Sequence, residues 1–291
     1  MDLSVIIVSF NVKDLLRQCL LSLGIATTKI ACEIFVVDNN SKDQSSEMVR
    51  SEFPGIKLIA NKVNLGFSAA NNQAIRKSAG QFIVLLNPDT IVEKDTLTKC
   101  LEFMKSHPDA GALGIRMTDS EGRFLPESKR ALPTLRTAFF KSFGLSYLFP
   151  RSQYFNRYYL PQIDSHETSL TEVIAGAFMF IRRKALDISG LLDEDFFMYG
   201  EDIDLSYRLL QTNYKNYYFS GTAIIHFKGR STPRKSFKDI HHFYRAMRVY
   251  VRKRAKERNY GPFILLIVCA IRLREGLAIL HRLLKLTLRT Q

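Results

Sequence analysis

The chain of 291 residues is long enough to bury a sizeable core, and its composition, 46% hydrophobic and 24% charged, excludes a low-complexity protein. Four scattered cysteines without a C-x-x-C pair argue against a disulfide framework and against a zinc cluster, and favour a reducing cytoplasm: Cys19, Cys32, Cys100 and Cys269. The formal net charge of +14 comes entirely from residues 228–291, which hold 17 basic and 3 acidic side chains, whereas residues 1–227 hold 25 of each.

The first 116 residues alternate short apolar segments with segments in which apolar residues recur at helical spacing. This alternation predicts an α/β fold with a Rossmann-like, doubly wound and mostly parallel sheet. The predicted strands are 3–10, 34–37, 56–60, 81–86 and 110–115. The helices that connect them are 13–23, a helix that Ser41 and Asp43 can start and that continues through Glu47 to Phe53, 67–78 and 94–106.

Beyond this region the regular alternation stops. Residues 117–170 are rich in Pro, Arg, Tyr and Phe, which predicts irregular loops with one helix near 135–143. Apolar patterning then returns at 173–181, followed by a helix at 202–210, a strand at 223–226 and a basic helix at 239–258.

Polar residues follow the predicted parallel strands at the edge where ligands of such sheets bind. They are Ser9 and Asn11 at the end of the first strand, Asp38 after the second, Asn64 after the third, and Asn87 and Asp89 after the fourth. Asp38 can equally cap a helix, and Asn87 and Asp89 can be turn formers around Pro88. Their joint position at successive strand ends favours a site for a diphosphate-bound divalent cation, which needs hard oxygen ligands on a rigid element.

Seven segments of the sequence, in order, resemble the family-2 glycosyltransferases with the GT-A fold. Within that family they are most similar to the bacterial rhamnosyltransferase-like branch that builds cell-surface polysaccharide. The resemblance covers residues 3 to about 232 and rests on SVIIVSFN, VVDNNSKD, NLGFSAANNQAI, LLNPDT, GAFMFIRR, FFMYGEDIDLSYRL and IIHFKGRST. It implies a GT-A catalytic domain over residues 1–232, to which residues 233–291 add a basic, partly amphipathic helical extension.

The resemblance implies inverting transfer of a sugar from a nucleotide-diphosphate sugar to a hydroxyl of a glycan or polyprenyl-linked acceptor. In this assignment Asp38 hydrogen-bonds the nucleobase or ribose of the donor, and Ser9 and Asn11 line the same pocket. Asn64, in the segment after the third strand, is assigned to the donor as well.

A metal site is implied at the fourth strand end. Asp89 matches the last acid of the family's D-x-D motif and would ligate Mg²⁺ or Mn²⁺ bridging the diphosphate. Asn87 replaces the first acid, and its amide oxygen can contact ribose or metal-bound water. His226 corresponds to the late histidine that completes the metal site in relatives, although a buried structural histidine is the alternative. Arg230, in the loop after His226, is a candidate contact of the diphosphate.

Catalysis is assigned to the pair Glu201 and Asp202, which stands after a glycine at the start of a predicted helix. Sugar transfer with inversion needs a carboxylate that takes the proton of the acceptor hydroxyl. The resemblance gives that role to Asp202, with Glu201 as a support or an alternative, whereas helix capping would explain only one of the two acids. Gly176 and Ala177 would present backbone to the acceptor.

The basic C-terminal segment suits an anionic partner. The apolar run 263–271 is too short to span a bilayer, and the leucines and arginines that follow it predict a helix at the membrane surface, on the inner face of the cell membrane. A helix packed on the catalytic domain is the alternative, and assembly of identical chains stays open.

Two other functions compete with sugar transfer. Binding of nucleic acid through the basic helix is disfavoured because the basic residues adjoin an apolar segment. A nucleotidyltransferase is disfavoured because the loop after the first strand contains no glycine. Dinucleotide binding and a P-loop are excluded separately, because neither of their motifs occurs in the sequence.

Overall fold

The computed structural model describes residues 1–134, 137, 145–227, 229, 236–255 and 264–287. One mixed sheet lies at the centre of this described part. Its strands are β1 (Leu3–Ser9), β2 (Cys32–Asp38), β3 (Lys57–Ala60), β4 (Phe82–Leu86), β5 (Thr90–Val92), β6 (Ala110–Thr118), β7 (Ser169–Leu170), β8 (Phe178–Arg182) and β9 (Lys215–His226). The helices are α1 (Lys13–Ala26), α2 (Ser45–Glu52), α3 (Phe67–Ile75), α4 (Thr96–Ser106), α5 (Leu145–Leu148), α6 (Arg183–Ser189), α7 (Glu201–Leu210), α8 (Phe237–Arg254) and α9 (Ile264–Thr287).

The strands lie in the order β3-β2-β1-β4-β8-β6-β9-β5, and β7 pairs with β9. Strands β1, β2, β3, β4, β6 and β9 run in one direction, whereas β5, β7 and β8 run in the other. The expectation of a mostly parallel sheet is therefore confirmed. Simple strand-helix alternation does not, however, foresee the antiparallel β8 between β4 and β6.

Both faces of the sheet are covered, which explains the continuous apolar runs of the first half. Every residue of β1 is buried, and its successive side chains enter two different cores. One core includes apolar residues of α1, α2 and α4, and the other those of α3, α6 and α7. Because the alanines of α3 are small, this helix packs closely against β1.

In the second half, two predicted segments have different bounds in the structure, and a third lies almost entirely outside the described residues. The segment 173–181 is a strand only from Phe178, because Ala175–Phe178 forms a backbone-bonded turn. The strand predicted at 223–226 begins at Lys215, and its register against β6 shifts between Ile115 and Arg116, so alternation is interrupted there. The helix predicted near 135–143 lies outside the described residues except for Thr137.

Helix α8 packs on the segment that leads into α7. Ser236 and Asp239 form a reciprocal capping box that sets the start of α8 two residues before the predicted one. Near its other end, Lys253 bridges Asp193 and Asp195 at 2.5 and 2.6 Å. Rings of α8 also stack on this segment, with 4.4 Å between the centroids of Phe197 and His242. The basic helix is thus attached to the body of the protein.

Helix α9 packs on α8 through Glu275, which accepts from Arg248 and from His241. Val268 and Ile271 are buried on the same side. The opposite side exposes a row of leucines, described below. None of the helices that the structure describes is long and apolar enough to cross a bilayer. The division at residue 232 into a catalytic domain and an extension stays a prediction.

Candidate active site

A cavity of about 320 Å³ lies between the ends of β4 and β9 and the start of α7. It brings together six of the predicted site residues: Asn87, Gly176, Ala177, Glu201, Asp202 and His226. The remaining lining residues are Phe67, Met117, Glu127, Arg130, Tyr158, Tyr159, Ala175, Met198 and Tyr199. Acidic, amide, imidazole and aromatic groups therefore share one concave surface, which is the usual composition of a small-molecule site.

The predicted donor residues Ser9 and Asp38 lie side by side at the ends of β1 and β2, where they are register partners. Asp38 Oδ2 accepts from the backbone N–H of Ser41 at 3.0 Å, so one carboxylate oxygen does shape the turn. The buried Asp38 Oδ1 and Ser9 Oγ have no hydrogen-bond partner within the described residues. Buried polar atoms of this kind call for a ligand or water, so the turn and the binding role are compatible.

Asn11 and Asn64 serve the local backbone in this structure. Asn11 has a left-handed backbone with a φ of 56°, and its side-chain oxygen accepts from the N–H of Lys42 at 2.7 Å. Asn64 accepts from the N–H of Gly66 at 2.9 Å, which shapes the turn before α3. Neither residue lines the cavity around Asp202, and their donor-binding roles stay predictions.

Asp89 and His226 come together because β5 pairs with β9, with Thr90 opposite His226. His226 Nε2 lies 3.4 Å from Asp89 Oδ1, and both side chains are buried. A carboxylate and an imidazole are suitable ligands for Mg²⁺ or Mn²⁺, the imidazole more so for Mn²⁺. Within the described residues, however, no group of three or more His, Cys, Asp or Glu side chains converges. A metal held here would need further oxygen ligands beyond Asp89 and His226.

The chain enters α7 through two residues with left-handed backbones, Tyr199 with a φ of 69° and Gly200 with a φ of 85°. Such a conformation is unusual for tyrosine, and the Tyr199 ring packs edge to face against Phe243 of α8. The turn directs the first two side chains of α7, Glu201 and Asp202, to the cavity. Gly200 is the N-cap of the helix, so neither acid occupies that position, although Asp202 Oδ1 accepts from the backbone N–H of Ile203 in the first turn.

Glu201 is buried, and its Oε2 has no hydrogen-bond partner within the described residues. Burial, and secondly the neighbouring carboxylate of Asp202, raise the pKa of Glu201 to about 8. At neutral pH the side chain is therefore mostly protonated and can donate a hydrogen bond.

Asp202 is held by three donors. Its Oδ2 accepts from Arg130 Nη2 at 2.6 Å and from the backbone N–H of Gly176 at 3.2 Å, and its Oδ1 accepts from the N–H of Ile203 at 2.8 Å. Gly176, predicted to face the acceptor, thus also orients the predicted base. Ala177 anchors the opposite wall, since its carbonyl accepts from the N–H of Asn87 at 3.0 Å.

Sequence reasoning missed Arg130, which lies in the segment predicted as irregular loops. Burial lowers the pKa of Arg130, but the carboxylate of Asp202 and then Tyr158 outweigh this effect, so the pKa is raised and the guanidinium stays charged. Tyr158 and Tyr159 reach the cavity from the same segment. The enrichment of residues 117–170 in Arg and Tyr was the sequence signal that could have indicated their part in the site. Arg230, the candidate diphosphate contact, lies outside the described residues.

Known proteins similar to this chain agree on one family. The family model described as glycosyl transferase family 2 matches residues 4–190. The N-acetylglucosaminyl-diphospho-decaprenol L-rhamnosyltransferase of Mycobacterium tuberculosis is 26% identical over 243 residues, which are 80% of this chain and 78% of that protein. The rhamnosyltransferase WbbL of Escherichia coli K12 is 26% identical over 267 residues, which are 88% of this chain and 96% of WbbL.

Solved structures share the fold at lower identity. Residues 1–349 of TarS from Staphylococcus aureus give a TM-score of 0.59 at 19% identity and cover 88% of this chain, which in turn spans 66% of that structure. The mannosyltransferase PcManGT from Pyrobaculum calidifontis, in complex with GDP-Man and Mn²⁺, gives a TM-score of 0.59 at 17% identity. The match covers 95% of this chain and 71% of the PcManGT chain.

The predicted GT-A fold is confirmed by these structures. The family model ends before Glu201, Asp202 and His226, so the roles of these residues rest on their geometry and on the resemblance described above. The matches also favour sugar transfer in glycan biosynthesis over a nucleotidyltransferase. The chain belongs to glycosyl transferase family 2 and is a glycosyltransferase of its rhamnosyltransferase-like branch.

Proposed function

We propose that the protein transfers a sugar, with inversion, from a nucleotide-diphosphate sugar to a hydroxyl of a glycan or lipid-linked glycan in cell-surface polysaccharide synthesis. The main support is the cavity in which Asp202 and Glu201 face Asn87 and His226. The M. tuberculosis relative is named for rhamnosyl transfer to N-acetylglucosaminyl-diphospho-decaprenol, which supports a lipid-linked acceptor for this chain.

Transfer proceeds in a single displacement. The oxygen of the acceptor hydroxyl attacks the anomeric carbon of the donor while Asp202 takes the hydroxyl proton. The bond between the anomeric carbon and the diphosphate oxygen breaks, and the nucleoside diphosphate leaves with the electron pair. Gly176 and Ile203 orient the carboxylate of Asp202 through their N–H groups, and protonated Glu201 supplies a hydrogen-bond donor beside it.

The donor nucleotide is assigned to the ends of β1 and β2, where Asp38 and Ser9 have unsatisfied buried oxygens. Asn11, Asn64 and Asn87 are assigned to the same donor. In this arrangement the nucleoside lies at one end of the strand edge and the sugar lies in the cavity near Asp202.

Asp89 and His226 would hold a divalent cation, Mg²⁺ or Mn²⁺, together with the donor diphosphate. When bound, the cation neutralises the charge that develops on the leaving diphosphate. The separation of 3.4 Å between His226 Nε2 and Asp89 Oδ1 supports a shared ligand, and Mn²⁺ in the PcManGT structure supports the class of metal. Within the described residues the site offers two His, Cys, Asp or Glu ligands at most, and the donor diphosphate would supply others. Binding of the cation and binding of the donor should therefore be coupled.

This coupling is tested by a thermal-shift screen of UDP-, GDP- and dTDP-linked sugars with and without Mn²⁺. We expect one donor class to raise the melting temperature, and Mn²⁺ alone to have little effect but to increase the shift with donor, because ligands that bind only the folded state stabilise it. In Asp89→Asn, Mn²⁺ should no longer increase the melting temperature of the donor complex, whereas the donor alone should still raise the melting temperature in part. A large shift by Mn²⁺ alone, or no shift with any donor, would contradict the assignment.

We further propose that α9 rests on an anionic membrane surface. Seven leucines are exposed along this helix, from 74% for Leu265 to 47% for Leu283: Leu265, Leu266, Leu273, Leu277, Leu280, Leu283 and Leu284. Basic residues accompany them at Arg272, Arg274, Arg282 and Lys285. An exposed apolar row flanked by arginines fits the boundary between acyl chains and anionic headgroups. A lipid-linked acceptor would then be within reach of the same surface.

The membrane proposal is tested by replacing Leu273, Leu277 and Leu280 with glutamine. We expect the triple variant to lose most of its co-sedimentation with vesicles that contain phosphatidylglycerol, because each leucine withdrawn from lipid forfeits about 2 kcal/mol of burial. Replacement of the exposed Leu21 on α1 is the matched control and should leave binding unchanged. Equal sedimentation of the triple variant and the wild type would refute the role of α9.

A further inference from the structure

Arg130 is the one lysine or arginine among the described residues that line the cavity. Its side chain is only 11% exposed and pairs with Asp202, the base in the proposed reaction. Its other contacts are neutral: Nη1 donates to Tyr158 Oη at 3.2 Å and Nη2 to the carbonyl of Ile174 at 3.3 Å. Nε is buried and has no hydrogen-bond partner within the described residues. The guanidinium therefore has donor capacity left for an anion.

The ion pair also restricts Asp202. Two donors, Arg130 and the N–H of Gly176, fill both lone pairs of Oδ2, so that while the ion pair is intact only Oδ1, which accepts from Ile203, keeps a lone pair for a hydroxyl. Gly176 donates from the backbone, so Arg130 is the partner that can withdraw by a change of side-chain rotamer. An anion next to the acceptor sugar would compete with Asp202 for Arg130, because guanidinium groups bind phosphate as well as carboxylate.

On the basis of the proposed function, we infer that Arg130 recognises the phosphate attached to the acceptor sugar and, while no acceptor is bound, limits the activation of water by Asp202. When the acceptor enters, its phosphate draws Arg130 from Asp202 Oδ2. The acceptor hydroxyl then donates its proton to Asp202 as it attacks the donor. Without an acceptor, water that attacks the same anomeric carbon would release free sugar and nucleoside diphosphate, and the ion pair suppresses this loss.

The experiment compares two acceptors, N-acetylglucosamine linked through a diphosphate to a short prenyl chain and the neutral octyl glycoside of N-acetylglucosamine. We expect Arg130→Gln to lower kcat/KM for the diphosphate acceptor about ten-fold or more, the usual effect of losing a charge-assisted hydrogen bond. Transfer to the neutral glycoside should be kept, and hydrolysis of the donor without acceptor should rise. Arg130→Lys, which keeps the charge without the planar fork, should retain part of the preference.

Arg116→Gln is the matched control, because Arg116 contacts His166 and does not line the cavity, and it should change none of these rates. Equal losses with both acceptors would mean that Arg130 merely supports Asp202, and weaker donor binding in the thermal-shift assay would place the donor diphosphate on Arg130. Each of these two results, like an unchanged rate of donor hydrolysis in Arg130→Gln, overturns the inference about Arg130. The proposed function still stands in these cases if the wild type binds a sugar nucleotide. If the wild type binds no sugar nucleotide, the proposed function fails and the inference with it.

Discussion

Asp202→Asn is expected to lower the rate of sugar transfer by about 10²–10⁴-fold, the usual contribution of a positioned general base. Asparagine keeps the size of the side chain and can still accept from Gly176 and Arg130, so the cavity should keep its shape. It has no basic oxygen for the acceptor proton. The effect should therefore appear in kcat, with donor binding close to that of the wild type.

The measurement is the release of nucleoside diphosphate in the presence of acceptor, together with the thermal shift by donor alone. Asp187→Asn is a suitable control, because Asp187 is an exposed carboxylate on α6 outside the cavity. Near-normal turnover of Asp202→Asn would remove this residue from the base role and turn attention to Glu201.

Asp204→Asn is expected to have the largest effect on stability. Asp204 is buried, and its two oxygens accept from Arg208 on the same helix and from Arg254 of α8. Arg254 is itself buried and lies over the ring of Tyr207, with 3.9 Å to the centroid. Removal of the charge leaves two arginines facing a neutral amide, and loss of one partner from a buried ion pair costs on the order of 3 kcal/mol.

Urea denaturation followed by circular dichroism measures this loss as a lower midpoint. Asp14→Asn provides the comparison, because Asp14 also pairs with an arginine, Arg17, but its side chain is 87% exposed. An exposed pair of this kind contributes less than about 1 kcal/mol. If both variants unfold at the wild-type urea concentration, α8 is not held by Asp204.

The first half of the fold was predictable because both faces of its strands are buried. A run such as residues 3–9 is apolar except for Ser4 and Ser9 and is followed by a helix with leucines on one side, so the strand, the helix and the site at the strand end can be placed from local pattern. In the structure these residues lie in β1 and α1, and Ser9 and Asp38 adjoin at the predicted edge.

The second half depends on contacts between residues that are distant in the sequence. Strand β8 enters the sheet between β4 and β6, and no local pattern selects those neighbours. Arg130 meets Asp202 across 72 positions of the chain, from a segment without periodicity. Convergence of Asn87, His226 and the acids of α7 could be expected from the resemblance, whereas their contacts with Arg130 and Tyr158 could not.

The carboxylates at 193, 195 and 204 and the basic residues at 253 and 254 form one set of partners across two parts of the chain. Natural variation at these positions should consequently be correlated, since a change on one side leaves buried or half-buried charge on the other. The same holds for chimaeras: a C-terminal helix pair exchanged between relatives needs its matching acids both in the segment before α7 and within α7.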